Sequence, residues 1–158
     1  MRALIQRVKK ARIDSDCEEL GRIARGLVVF LGIASGDLTQ DAHYIVGKVI
    51  NLRIFEDELG RFNRSALEID AELLIVSQFT LHADTRKGRR PSFSKAAHPN
   101  EARALFEKSL DLFSATGLKV STGRFQESMQ ITLQNDGPIT ILIDSADQTV
   151  NQRTLQPY

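Results

Sequence analysis

The sequence has little with which to build covalent or metal-centred chemistry. Cys17 is the only cysteine in 158 residues, so no internal disulfide can form, and such usage fits a reducing compartment with Cys17 an incidental thiol. The three histidines, His43, His82 and His98, show no HExxH or comparable ligand spacing, which leaves a metal site unsupported. Neither a Walker loop nor a G-x-G-x-x-G run is present, so no nucleotide cofactor, and no cofactor of any kind, is expected. An 18-residue apolar run is also missing, and "MRALIQRVKKARID" is too charged for a secretory signal. A soluble cytoplasmic protein without membrane association is therefore expected. The formal net charge is only +1, so binding to nucleic acid would have to come from a local basic patch.

What is present suits one folded domain. Apolar residues make up 42% and charged residues 26%, an ordinary globular balance in a chain long enough to bury a core without staples. No repeat, low-complexity tract or linker divides it. "ALIQRVKKARI" alternates as a half-buried strand, with Leu4, Gln6 and Val8 on one face and Ile5 and Arg7 on the other. "GLVVFLGIASGD" is an apolar run between glycines, the pattern of a buried central strand. Ala42, Ile45, Val46, Val49, Ile50 and Leu52 predict a helix over about 40–52, with Thr39 or Asp41 as its N-cap. "EDELGRFN" reads as a turn, and "AELLIVSQFTLHAD" as a second apolar strand from about Leu73 to Leu81. After a basic loop, Ala102, Leu105, Phe106, Leu110 and Phe113 form the inner stripe of an amphipathic helix whose start is punctuated by Pro99 and Asn100. "KVSTGRF", "MQITLQ" and "ITILID" read as three further strands. The order is that of an α+β domain, a mixed or antiparallel sheet with two main helices. Residues 145–158 lack periodicity and read as a tail or a partner-contacting arm.

Candidate chemistry gathers at two places. On a strand through Leu81, Gln78, Thr80 and His82 would share one face, with Ser77 and Phe79 on the other. A Thr80 nucleophile with His82 as its base is the sharp reading. Their Cβ atoms would stand roughly 6–7 Å apart, too far for an unaided hydrogen bond, and hydroxyls satisfying a sheet margin are the blander alternative. Downstream, Arg86, Lys87, Arg89 and Arg90 in "RKGRR" could take phosphate through arginine forks, or could be a solvated loop. In "LQNDGPITILID", Asp136-Gly137 suits a type I′ hairpin, with Pro138 opening the next strand. The other reading is a rigid, cis Gly137-Pro138 element, although only about 5–6% of X–Pro bonds are cis.

"ALIQRV", "GLVVFLGI", "KVINLRIF", "VSQFTLHAD", "KGRRPSF", "VSTGRF" and "NDGPITI" occur together in an order that resembles the D-aminoacyl-tRNA deacylases, formerly called D-tyrosyl-tRNA deacylases. The resemblance spans residues 1–144, and "SQFTL" with "NDGPIT" is its specific part. It implies a cytosolic homodimer that hydrolyses the ester joining a D-amino acid, or mischarged glycine, to the terminal adenosine of tRNA. It implies that Ser77, Gln78, Phe79 and Thr80 line the pocket. It also implies that Gly137-Pro138 is a cis pair reaching into the partner subunit's pocket to reject L-amino acids, so that two symmetric sites follow. Catalysis would rest on the tRNA's own terminal 2′-hydroxyl, with the Phe79 and Thr80 backbone N–H groups at the oxyanion; Thr80 as nucleophile is the competing proposal. Arg86, Lys87, Arg89 and Arg90 are the weaker candidates for the acceptor stem.

The chain departs from the family pattern in three places. Gln126 and Glu127 stand where small residues are expected, Phe62 replaces a common methionine, and the tail is longer. Two rivals stay open: a deacylase of relaxed chirality with a trans Gly137-Pro138 bond, and a noncatalytic dimer that binds the tRNA acceptor end.

Overall fold

The longest run of alternation becomes β1 (Arg2–Ser15), the strand that organises the sheet. On one side it pairs antiparallel with β2 (Glu18–Ile23) along its second half and with β3 (Gly26–Gly32) along its first. On the other side it pairs with a 15-residue strand over Gln130–Asp144. The computed structural model describes residues 1–148. Within them α1 (Thr39–Asn51) follows β3, then the short antiparallel pair β4 (Phe55–Glu56) and β5 (Phe62–Arg64), then β6 (Glu72–Ser77). A 3₁₀ turn over Phe79–His82, α2 (Pro99–Ser114), β7 (Val120–Thr122), β8 (Gln130–Asp144) and a 3₁₀ turn at Ser145–Asp147 complete the order. β3, β6 and β7 run parallel, while the β1 pairings are antiparallel. The sheet is therefore mixed, as the pattern of elements predicts.

β3 and the Leu73–Val76 stretch of β6 are apolar because both their faces are covered. Leu27, Val29, Leu31, Leu73 and Ile75 face a core closed by Ile45 and Val49 of α1 and by Phe106 and Phe113 of α2. Val28, Leu74 and Val76 face a second, smaller core with Val8, Ile13 and Ile23, against which Leu20, Met129, Ile131 and Leu133 pack. α1 begins one residue before the expected span, and Asp41 accepts the Leu38 backbone N–H at 2.8 Å instead of serving as the N-cap itself. Pro99 sits at the start of α2, where its missing N–H has no cost.

Several expected elements differ. "EDELGRFN" is the β4–β5 hairpin and not a bare turn. The strand expected across "KVSTGRF" is confined to Val120–Thr122, and β2 had no apolar signature to announce it. "MQITLQ" and "ITILID" are one strand, so the Asp136-Gly137 hairpin does not form: β1 pairs with both halves, on either side of a bulge. Of the expected tail, Ser145 is buried and donates its backbone N–H to the Met1 carbonyl at 2.8 Å; residues 149–158 lie outside the described residues.

Truncating the inner stripe of α2 should cost far more than an exposed change. Phe113→Ala removes a fully buried ring and should lower unfolding free energy by about 3–5 kcal/mol. Leu59→Ala, on an exposed side chain, should stay within about 0.5 kcal/mol. Urea midpoints of the two variants against the parent measure both.

Candidate functional site

β6 stops at Ser77, and the chain turns immediately. The reason lies in β3, whose register with β6 ends at Leu31 opposite Ser77. Gln78 donates its backbone N–H to the Leu31 carbonyl at 2.8 Å, and the next residues fold over Gly32. A Cβ at Gly32 would stand 2.9 Å from the Gln78 carbonyl, 3.0 Å from Leu81 Cβ and 3.2 Å from His82 Cδ2. Glycine is what lets the turn seat there. Arg2 holds it from the side: its Nη1 donates to the Leu81 carbonyl at 3.0 Å and its Nε to Asp144 at 2.8 Å.

This turn removes the strand geometry on which Gln78, Thr80 and His82 would share a face. His82 is buried, with no hydrogen-bond partner for Nε2 among the described residues. Thr80 is exposed, and its hydroxyl accepts from the Gln78 amide at 2.5 Å. No Thr80–His82 dyad exists. What the turn does offer is backbone: Phe79 and Thr80 are the first residues of a helical turn, and their N–H groups have no partner within it.

Ser77, Gln78 and Phe79 open onto a cleft of about 800 Å³, the size of a nucleoside or small-ligand site. Leu31, Ile33 and Val76 also line it, together with Phe93 and the segment from Phe125 to Met129. Gln126 and Glu127 thus stand on the wall of the cleft. Gln126 has φ +66°, a conformation that a side chain makes costly and that suits the small residue expected there. Its side-chain Oε1 accepts from Arg103 at 3.3 Å, and that guanidinium lies 4.9 Å from the Phe125 ring centroid. Glu127 lies 3.6 Å from Arg124 and accepts the Ser15 hydroxyl at 3.3 Å.

Gly137 and Pro138 do not line this cleft. They belong to a bulge of β8: Gln6 pairs with Thr140 and Val8 with Asn135, so residues 136–139 stand opposite Arg7 alone. The Gly137-Pro138 bond is cis, as the resemblance implies, and both residues are exposed. Gly137 has φ +118°, and a Cβ would meet Ile139 Cγ1 at 2.8 Å and the Arg7 guanidinium at 3.3 Å. Asn135 closes the bulge, donating to Thr140 Oγ1 at 3.0 Å and accepting the Ile139 N–H at 3.3 Å.

Arg7 was not visible as a site residue in the sequence, where it is one charge on an alternating strand. In the structure it is 3% exposed. Its Nη1 donates to the Ile54 carbonyl at 2.6 Å, and its Nε lies 3.2 Å from the Asp136 carboxylate without an aligned hydrogen bond. Glu56 is 3.5 Å away, and the Phe62 ring centroid lies 5.3 Å from the guanidinium carbon. The aromatic residue that departs from the family pattern therefore covers the cation behind Gly137.

The basic segment is a loop closed at its base, where Asp84 and Ser92 exchange backbone hydrogen bonds of 2.7 and 2.9 Å. Arg86 is not free for a ligand: its Nε and Nη2 donate to the two Asp84 carboxylate oxygens at 2.9 and 2.5 Å. Lys87, Arg89 and Arg90 are exposed and form no ion pair among the described residues. The Arg86 hydrogen bonds pull the Asp84 carboxyl from its usual 3.8 down to about 2.

The fold and these features define an α+β protein with an aromatic-walled cleft at a strand end, a backbone-rich turn and, among the described residues, no Thr80–His82 pair. The family described as D-Tyr-tRNA(Tyr) deacylase matches residues 4–144. A D-aminoacyl-tRNA deacylase from Aquifex aeolicus is 51% identical over 147 residues, 93% of this chain and 99% of that protein. One from Roseiflexus castenholzii is 52% identical over 146 residues, 92% of this chain and 93% of its own. Among solved structures, a c-Myc DNA unwinding element binding protein superposes with a TM-score of 0.86 at 36% identity, over 91% of this chain and 98% of that one. A probable eukaryotic D-amino acid tRNA deacylase shares the fold, with a TM-score of 0.81 at 18% identity over 90% of this chain and 97% of that one. The chain belongs to the D-Tyr-tRNA(Tyr) deacylase family.

Two measurements check the site's supports. Arg7→Ala should cost about 2–3 kcal/mol in urea unfolding, below the ~3–5 kcal/mol of a fully buried pair because Asp136 and Glu56 reach solvent. For Asp84 the folded pKa is depressed, so the Arg86 clamp favours the closed loop above about pH 4 and is lost as the pH falls through about 2. An NMR titration of the Asp84 carboxyl should give that low midpoint, and Arg86→Ala should return it towards 3.8.

Proposed function

We propose that this protein hydrolyses the ester between a D-amino acid and the terminal adenosine of tRNA, in the cytoplasm, as a homodimer. The observation that carries the reading is the separation of two features. Ser77, Gln78 and Phe79 line the cleft while the Thr80 hydroxyl is engaged by the Gln78 amide and by no base, and the exposed Gly137-Pro138 bulge lies outside the lining of its own chain's cleft. In a dimer each bulge enters the other subunit's cleft, and the fifteen-residue edge strand β8, with Leu142 and Phe62 exposed near it, is the surface that a second copy would cover. No helix among the described residues is long and apolar enough to cross a membrane.

The chemistry follows from positioning. The ester carbonyl sits at the Phe79 and Thr80 N–H groups, which take the charge that develops on its oxygen; removing such a donor typically costs about 2.7–4 kcal/mol. The terminal 2′-hydroxyl of the RNA and an oriented water complete the attack, the acyl C–O bond breaks, and the free amino acid and the tRNA leave. Holding these groups together supplies up to about 7–11 kcal/mol. Thr80, held by the Gln78 amide, orients without attacking. Ser77 and Gln78 shape the wall, and the partner's Gly137 and Pro138 stand against Cα, where an L side chain would clash. Selection is by rejection. D side chains go unread, and glycine, with nothing to reject, is also hydrolysed, including from mischarged glycyl-tRNA.

Deacylation of matched D- and L-tyrosyl-tRNA should differ by at least about a hundredfold, ~2.7 kcal/mol. Equal rates would instead indicate the relaxed-chirality enzyme, and tight acceptor-end binding without repeated turnover the noncatalytic dimer. Replacing the terminal 2′-hydroxyl by hydrogen should abolish hydrolysis, with Thr80→Ala retaining most of it. The reverse pair of results would make Thr80 the nucleophile.

A further inference from the structure

Phe79 lends its backbone to the reaction turn, but its ring is not used there. That ring is 57% exposed and lies at the rim of the cleft. An isolated exposed apolar side chain is unremarkable in a soluble protein. This one is held in place: Phe93 packs on it edge to face, with centroids 5.0 Å apart and planes at 70°. Most of its surface stays open while Phe93 braces one side of it.

Phe93 also ties the ring to the basic loop. It follows Ser92 directly, and Ser92 closes that loop against Asp84. Asp84 is the one acidic side chain between residues 84 and 95, and Arg86 already occupies it. Lys87, Arg89 and Arg90 are left as unneutralised cations on a loop anchored one residue from the aromatic pair. An open, braced ring joined through its partner to a loop of unpaired cations is the combination by which proteins hold single-stranded nucleic acid: bases stack on the aromatic face and phosphates track the charge.

We propose that the Phe79 ring, braced by Phe93, is a stacking platform for the unpaired base immediately 5′ of the terminal adenosine, with Lys87, Arg89 and Arg90 taking the phosphates behind it. The inference rests on the aminoacyl-tRNA reading, since it places the terminal nucleoside in the cleft and the preceding nucleotide at the rim. Every base has a π-face, so the platform would serve any tRNA, and affinity would come from the strand and not from the amino acid.

The test is equilibrium binding of an uncharged acceptor minihelix, intact or with an abasic ribose at the penultimate position. With the native protein the abasic RNA should bind about 5- to 150-fold more weakly, the range spanned by stacking one base. In Phe79→Leu that penalty should shrink below about twofold, and in Phe79→Trp it should persist. The penalty should survive added salt, whereas the contribution of Lys87, Arg89 and Arg90 should fade. An equal penalty in native and Phe79→Leu proteins, or none in the native protein, overturns the platform. Because no deacylation is measured, a failure of the catalytic reading leaves this result independent.

Discussion

The buried guanidinium of Arg7 is the constraint on which the rest of the site depends. Taking a cation out of water is costly unless several partners meet it, and here they come from three directions. The Ile54 carbonyl and Glu56 reach it from the chain around β4, Phe62 covers it from β5, and Asp136 meets it from β8. The small β4–β5 hairpin has its place in the fold through this contact. So has the break in β8: a strand paired residue by residue with β1 would have no room for Arg7 and its carboxylate partner, so residues 136–139 leave the ladder. Gly137 and Pro138 are carried outwards as a result, on a bulge fastened at its root by Arg7 and across its neck by Asn135.

The same strand supports the other half of the site. Arg2, at the start of β1, holds the Leu81 carbonyl and Asp144, so the turn at Phe79–His82 and the end of β8 are both fixed from β1. Gly32 admits the turn by having no side chain. Cleft and bulge are thereby held rigidly by one scaffold, yet the bulge does not line its own chain's cleft. In the proposed dimer this rigidity is what chiral rejection requires: a wall that yields by an ångström would admit the L side chain it is meant to exclude.

Much of the scaffold was legible in the sequence because its signals are local. The period of α1, the stripe of Phe106 and Phe113 on α2 and the apolar run of β3 each report their own burial. What could not be read locally was set by distant partners. β6 ends at Ser77 because Leu31 and Gly32 are where they are, and the apolar Phe79 and Leu81 beyond it imitate a continuing strand. Asp136-Gly137 has the chemistry of a hairpin, but β1 pairs with both flanks and overrides it. Arg7 looks like any surface charge until its four partners assemble, and Arg86 looks like a phosphate ligand until Asp84, two residues earlier, takes it. The roles of Ser77–Thr80 and Gly137-Pro138 came from resemblance, since no spacing rule brings those two segments together.

The proposed dimer requires that these two segments meet across subunits around the substrate's Cα. The direct measurement is a crystal structure with a non-hydrolysable amide analogue of D-tyrosyl-adenosine. The expected result is a two-fold dimer with the analogue's carbonyl oxygen at the Phe79 and Thr80 N–H groups and a second subunit's Pro138 against its Cα. An analogue bound in that cleft with no second subunit within contact of it would rule out the cross-subunit site.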